Sequence, residues 1–340
     1  MFDSLTFNVA AFVIAAIVLA VAGTYLSRFA DVLADKTGLG EALIGTLVLA
    51  GATSLPDFAA TLNAAVDGRA ELAMSNVMGS MAVNLAFLGI GDIFYRKANL
   101  EHAAASAANL MQAVLSIALL AVPLIAFAIP TLTVWRVHAA TPLIVIGYIF
   151  GLRLVQRSET APMWSPKRTP QTVEDVPASE TGTEGLLATW LKFAALTAVT
   201  AAAGWMVMDA AESITDQTAL SESVAGGMFT AISTSSPELV TTIAAIRQGA
   251  LTLAVSNIVG TNCFNTLVIA AADLGYRGGS IYQDISTLQV VWGLVAILMT
   301  AILLLGMLRR ETHGIGNIGF EGFLMLSVYA ATVLVVVTAG

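Results

Sequence analysis

The chain has 340 residues, 57% hydrophobic and only 11% charged, with a mean hydropathy of +0.82; soluble domains carry about 25% charged residues, so the composition argues against a soluble enzyme. A net charge of −8, from 15 Lys+Arg against 23 Asp+Glu, leaves no basic surface for a nucleic acid. The single cysteine, Cys263, rules out a disulfide framework, and His102, His138 and His313 are too scattered for a Cys/His metal site, so no resident cofactor is expected.

The N-terminal stretch carries Asp3 and no Lys or Arg before Arg28, and its apolar run from Phe7 to Leu26 is too long for a cleaved signal. It is read as a first span. A span needs roughly 20 apolar residues, and ten windows qualify, near 7–27, 41–65, 71–94, 104–127, 137–154, 187–208, 222–246, 250–273, 285–307 and 317–338. The expected fold is all-α, a polytopic membrane protein of ten transmembrane helices. Residues 155–186 are rich in Ser, Thr, Pro and charge and read as a flexible linker between five-helix halves 1–154 and 187–340. With Lys192 snorkelling to the linker side, Lys and Arg divide twelve to three in favour of that side, which puts the linker in the cytoplasm and both termini outside.

A shift of 181 residues aligns Asp35–Arg96 with Asp216–Arg277 without a gap, at 21 identities in 62 positions. Thr53-Ser54 meets Thr234-Ser235, Pro56 meets Pro237, Ser75-Asn76 meets Ser256-Asn257, Gly79 meets Gly260, Asn84 meets Asn265 and Asp92 meets Asp273. Most identities are polar, Gly or Pro, the residues scarcest in spans. Five spans separate each element from its copy, so the copies cross the membrane in opposite directions, an inverted repeat of the kind that builds substrate sites at the midplane.

Pro56 and Pro237 each remove a helical hydrogen bond, which frees carbonyls around Ala50–Thr53 and Ala231–Thr234. Asp57 and Glu238 follow those prolines directly, and a carboxylate at membrane depth costs at least about 2.5 kcal/mol unless it is paired, protonated or bound to a cation. No Lys or Arg stands mid-span to pair with them. Hard cations take carboxylate, hydroxyl, amide and carbonyl oxygens, and Thr53, Ser54, Ser80, Asn84, Thr234, Ser235, Thr261 and Asn265 supply them. Two carboxylates neutralise one divalent ion or two monovalent ones. Taken singly, a proline in a span is a kink and Ser, Thr and Asn are interhelical glue; their joint recurrence in inverted copies favours an ion site.

Gly89-Ile90-Gly91-Asp92 spells the Gly-x-Gly-Asp pattern of intramembrane aspartyl proteases, but its counterpart Ala271-Ala272-Asp273 lacks the glycines, and Asp92 sits at a helix end where water can solvate it. Cys263 reads as a small buried hydrophobe.

The two copies, ATSLPD with SNVMGSMAVN and STSSPE with SNIVGTNCFN, resemble the alpha-repeats of the sodium/calcium exchanger family. The resemblance implies ion sites clustered between spans 2, 3, 7 and 8, with Asp57 and Glu238 as principal Ca²⁺ ligands helped by the carbonyls of Thr53 and Thr234. It implies that Na⁺ uses the same carboxylates with Ser54, Ser80, Asn84, Ser235, Thr261, Asn265 and the carbonyls of Ala50 and Ala231, and that spans 1 and 6 slide to alternate access. The chain departs from the family pattern at Asp57, where Glu is usual, at Met81, where Asn is usual, and at Ala52 and Ser233, where Gly is usual. The expected function is Ca²⁺/Na⁺ antiport in a bacterial or archaeal inner membrane, with inorganic cations and the bilayer as partners and no protein partner implied. An H⁺- or other cation-coupled antiporter of the same fold is the alternative, ahead of a passive channel or membrane enzyme; the proton exchangers carry an acid where Gly79 and Gly260 stand. The linker is too short for the cytoplasmic Ca²⁺-regulatory domains of animal relatives.

Overall fold

The structure is a computed structural model that describes residues 4–129, 133–134, 137–173, 185–218, 232–314 and 318–339. Its helices are α1 (Leu5–Thr37), α2 (Gly40–Thr53), α3 (Leu55–Val66), α4 (Ala70–Phe94), α5 (Ala107–Ala128) and α6 (Ala140–Thr160) in the first half. The second half holds α7 (Leu186–Asp216), α8 (Ser236–Gln248), α9 (Leu251–Gly275), α10 (Thr287–Arg309) and α11 (Phe320–Ala339). A two-residue antiparallel hairpin, Thr133–Val134 with Val137–His138, precedes α6. Lipid offers no hydrogen bonds to the backbone, so apolar segments of this length fold as helices. Six of the described helices are long and apolar enough to cross a membrane, and α2 with α3 makes a seventh, bent by 56°. The arm that would precede α8, residues 222–231, lies outside the described residues.

The 181-residue shift extends beyond the segment in which sequence identity reveals it. It carries Leu5 onto Leu186 at the start of α1 and α7, Leu55 onto Ser236, and both ends of α4 onto both ends of α9. Gly68 and Gly249, its counterpart, both turn the chain at positive φ, 78° and 88°, where glycine avoids a Cβ clash. The polypeptide is thus two inverted five-helix repeats. Helices α4 and α9 are the most enclosed, with 78% and 89% of their apolar windows buried, whereas α1 and α7 pack side by side at the periphery with 22% buried.

Three expectations need correction. Asp92 is not solvated: it is fully buried, with Oδ1 accepting from Leu100 N at 2.6 Å and Oδ2 from Gly319 N at 2.7 Å. Its counterpart Asp273 accepts from Ile281 N at 3.2 Å and His138 N at 2.9 Å, the same two positions shifted by 181. Thr141 Oγ1 adds a third bond to Asp273 at 2.6 Å. The linker is not flexible from its start, because α6 runs to Thr160 and residues 167–173 dock on neighbouring loops. Arg310 donates to the carbonyls of Lys167 and His102 and to Thr172 Oγ1, while His102 joins the Arg310 carbonyl and Thr169 Oγ1, each at 2.7 Å. Val173 N donates to Ala103 O at 3.1 Å; residues 174–184 lie outside the described part. Finally, α1 and α7 extend well past the windows 7–27 and 187–208 and pack antiparallel, the last turns of α1 on the first turns of α7: Lys36 Nζ donates to Thr189 Oγ1 at 3.1 Å, and Lys192 Nζ stands 5.8 Å from the centre of the Phe29 ring.

At the Asp92 end the chain buries two more acids, Glu101 and Glu321. Their counterparts at the other end are Tyr282 and Ala140, which carry no carboxylate. Burial, with Asp92 and Glu321 close by, holds the Glu101 carboxyl well above the ordinary carboxylate range. The folded state then keeps a proton that the unfolded chain releases near pH 4.3, so stability falls as pH rises above that value. Glu101→Gln is expected to raise the melting temperature at pH 7–8 by a few degrees and to lose that advantage near pH 4. Melting curves across this range check it; an unchanged pH dependence would contradict it.

Candidate functional site

Pro56 and Pro237 occupy the first turn of α3 and α8. Proline suits that position, where a backbone N–H has no helical partner, and here it restarts a helix in mid-membrane. Ser54 (φ −82°, ψ 3°) and Ser235 (φ −89°, ψ 10°) form the two breaks, and their carbonyls accept from Phe58 N at 2.9 Å and Leu239 N at 3.3 Å. Asp57 and Glu238 consequently sit in the first turn of their half-helices, where the positive end of the dipole favours a carboxylate.

Eleven of the twelve residues singled out in the sequence are described, and all eleven are buried; Ala231 lies outside the described residues. The repeats interlock at their carboxylates. Asp57 lies beside Ser80 of α4 and Thr234 of the other repeat, and Glu238 lies beside Thr53 and Ser54 of the first. Ser54 Oγ donates to Glu238 Oε1 at 3.3 Å. Among the described residues neither carboxylate has a Lys or Arg partner.

The side-chain N–H groups here are used within the protein: Asn84 Nδ2 donates to Asn262 Oδ1 at 3.3 Å and Asn265 Nδ2 to Ser80 Oγ at 3.4 Å. The oxygens are not. Asp57 Oδ1 and Oδ2, Glu238 Oε2, Asn84 Oδ1, Asn265 Oδ1, Ser235 Oγ and Thr261 Oγ1 are buried without a hydrogen-bond partner. Buried polar atoms are nearly always paired, so a cluster of such oxygens, with the amide N–H groups turned elsewhere, suits a hard cation. The Ala50 carbonyl differs from expectation. It is not freed by Pro56, since it accepts from Ser54 N at 3.0 Å and Thr53 Oγ1 at 3.2 Å; the N–H that Pro56 lacks would have served Ala52.

Sequence reasoning missed two supports of this centre. One is Asn262, which also donates to Met81 O at 3.0 Å. The other is the close crossing of α2 and α9. There α2 widens into a π-helical turn over Ile44–Leu49, and a Cβ on Gly260 would stand 2.4 Å from Thr46 Cα. The pairing of Gly79 with Gly260 in the repeat was the available signal. Cys263 is buried against Leu119 and Tyr148, with Sγ 3.8 Å from the Gln112 carbonyl, as a structural cysteine.

Paired inverted repeats, broken helices and a buried oxygen-lined centre define a polytopic secondary transporter rather than an enzyme. The chain belongs to the sodium/calcium exchanger family: the family described as sodium/calcium exchanger protein matches residues 7–155 and 187–338. It is therefore an integral membrane cation/Ca²⁺ antiporter. The inner membrane protein YrbG of Escherichia coli (strain K12) is 27% identical over 243 residues, 71% of either chain. Crystals of the sodium-calcium exchanger NCX_Mj soaked with 2.5 mM Na⁺ and 0.1 mM Sr²⁺ give a structure with TM-score 0.74 at 17% identity, covering 97% of this chain and 99% of that one. Crystals soaked with 10 mM Na⁺ and no Ca²⁺ give 0.72 at the same identity. At such identity the likeness is one of fold.

Proposed function

We propose that this antiporter exchanges Ca²⁺ for Na⁺ by alternating access, with the ions carried at the Asp57–Glu238 centre. The observation that carries the reading is the set of buried oxygens around two carboxylates without a protein cation. Ca²⁺ takes Asp57 and Glu238 with the Thr53 and Thr234 carbonyls; Na⁺ takes the same carboxylates with Ser54, Ser80, Asn84, Ser235, Thr261, Asn265 and neighbouring carbonyls. A centre that either ion can neutralise, but not both at once, couples the two fluxes. Gly79 and Gly260, standing where proton-coupled relatives carry an acid, support Na⁺ as the driving ion. The excess of Lys and Arg on the linker side supports a cytoplasmic linker and external termini.

Asymmetry between the repeats supports alternating access. A Cβ on Gly23 of α1 would meet Val240 of α8, whose counterpart is Ala59 of α3. Gly204 of α7, the counterpart of Gly23, instead faces Pro56 and Pro237. Pro56 is three residues from Ala59, so the α1–α7 pair meets the two half-helices in registers about 4.5 Å apart. Ser75 and Asn76 are half-buried while Ser256 and Asn257 are fully buried. Exchanging these unequal environments between halves generates the opposite access state.

The test is ⁴⁵Ca²⁺ uptake into proteoliposomes under an outward Na⁺ gradient, a pH gradient or none. Uptake driven by Na⁺ is expected. Uptake that ignores Na⁺ and follows pH, or that runs only down the Ca²⁺ gradient, would refute the reading.

A further inference from the structure

Asn262 stands on α9 next to Thr261, buried and joined to two residues of α4. Its Nδ2 donates to the Met81 carbonyl at 3.0 Å, which fixes the amide plane, and its Oδ1 accepts from Asn84 Nδ2 at 3.3 Å. With its N–H group held in this way, Asn84 leaves Oδ1 as a buried acceptor without a protein partner. A freely rotating amide would present its NH₂ to the centre about as readily, and an N–H donor there repels a cation.

The repeat separates this role from ordinary packing. The counterpart of Asn262 is Met81, which is fully buried. The fold therefore accommodates an apolar side chain at this place, and no symmetry-related bond requires the amide at 262. Asn265, the counterpart of Asn84, is held differently, by a longer bond of 3.4 Å to Ser80 Oγ, which itself donates to Val77 O at 3.1 Å. The Asn265 amide is thus oriented by a hydroxyl and the Asn84 amide by a carboxamide, each reached across the α4–α9 crossing.

We propose that Asn262 is a positioning residue for cation binding, setting the Asn84 amide with its oxygen toward the ion, on the reading that Asn84 is a ligand of the transported cation. Outer partners of metal ligands are worth about 10–100-fold in affinity, and the effect belongs in ion binding rather than in the conformational step.

The test is Na⁺-driven ⁴⁵Ca²⁺ uptake by the protein in proteoliposomes at varied internal Na⁺ and fixed external Ca²⁺, for wild type, Asn84→Ala, Asn262→Ala and the double variant. Asn262→Ala is expected to raise the KM for internal Na⁺ about tenfold with kcat little changed. The double variant is expected to match Asn84→Ala alone, because the positioning residue then has nothing to hold. Asn262→Ser, which keeps an acceptor for Asn84, is expected to fall between wild type and Asn262→Ala and replaces the alanine variant if that one does not fold. An unchanged KM, a loss confined to kcat, or losses that add in the double variant would overturn the assignment. Asp57→Asn is measured alongside. A failure of the transport reading shows in the wild type and this control, and a failure of the Asn262 role shows only in its own variants.

Discussion

Asp57→Asn and Glu238→Gln are each expected to reduce Na⁺-driven Ca²⁺ uptake to background while the protein still inserts and remains monodisperse. Both substitutions keep the shape of the side chain and remove one charge from a buried centre in which neither carboxylate has a Lys or Arg partner. Removing an unpaired buried charge relieves desolvation, so the folded protein does not suffer; the bound divalent ion loses half its neutralising charge. Ligand linkage gives a second readout. Ca²⁺ at a hundred times its Kd stabilises a protein by about 2.7 kcal/mol, and the corresponding rise in melting temperature is expected to vanish in both variants. Near-normal uptake, or an intact Ca²⁺-dependent shift, would mean that the ion sits elsewhere. Asp57→Glu, one methylene longer, is expected to retain exchange with an altered Ca²⁺ KM.

The second large effect is expected at a residue with no functional group. Gly260→Ala places a methyl 2.4 Å from Thr46 Cα and 3.0 Å from Thr46 Cβ, at the crossing of α9 with the π-helical turn of α2. The first obstacle is backbone, which cannot rotate aside, so the helices must separate. Overpacking of this kind costs about 1–3 kcal/mol, and the shift carries Thr261, the next residue, away from the centre. Loss of most exchange together with a lower melting temperature is the expected result, measured by uptake and thermal unfolding. Near-normal exchange with an unchanged melting temperature would show that the crossing does not demand the glycine.

Gly260 shows where sequence reading stops. The repeat aligned it with Gly79, and aligned the residues around them, because polar and Gly positions are rare in spans, and the same rarity singled out Asp57 and Glu238. The site residues were legible because they recur. Asn262 does not recur, since Met81 takes its place, and a pattern based on identity between halves passes over it. Asp92 and Asp273 did recur, yet Asp92 at its helix end reads as solvated, because its partners are backbone N–H groups that leave no mark in side-chain sequence; one of them lies 227 residues away. The docked part of the linker was hidden because its Lys167 carbonyl and its Thr169 and Thr172 hydroxyls meet Arg310 and His102, side chains of loops distant in sequence.

The two aspartate bonds also bear on how such a molecule could have arisen. Asp92 belongs to the first half and grips Gly319 at the head of the last helix of the second; Asp273 belongs to the second half and grips His138 at the head of the last helix of the first. Neither half can complete its own clasp, and one made alone would bury a carboxylate with one arm unpartnered. A single-length ancestor with this clasp would have been whole only as a pair of identical chains inserted in opposite orientations. Gene duplication and fusion would then have joined two subunits that already completed each other.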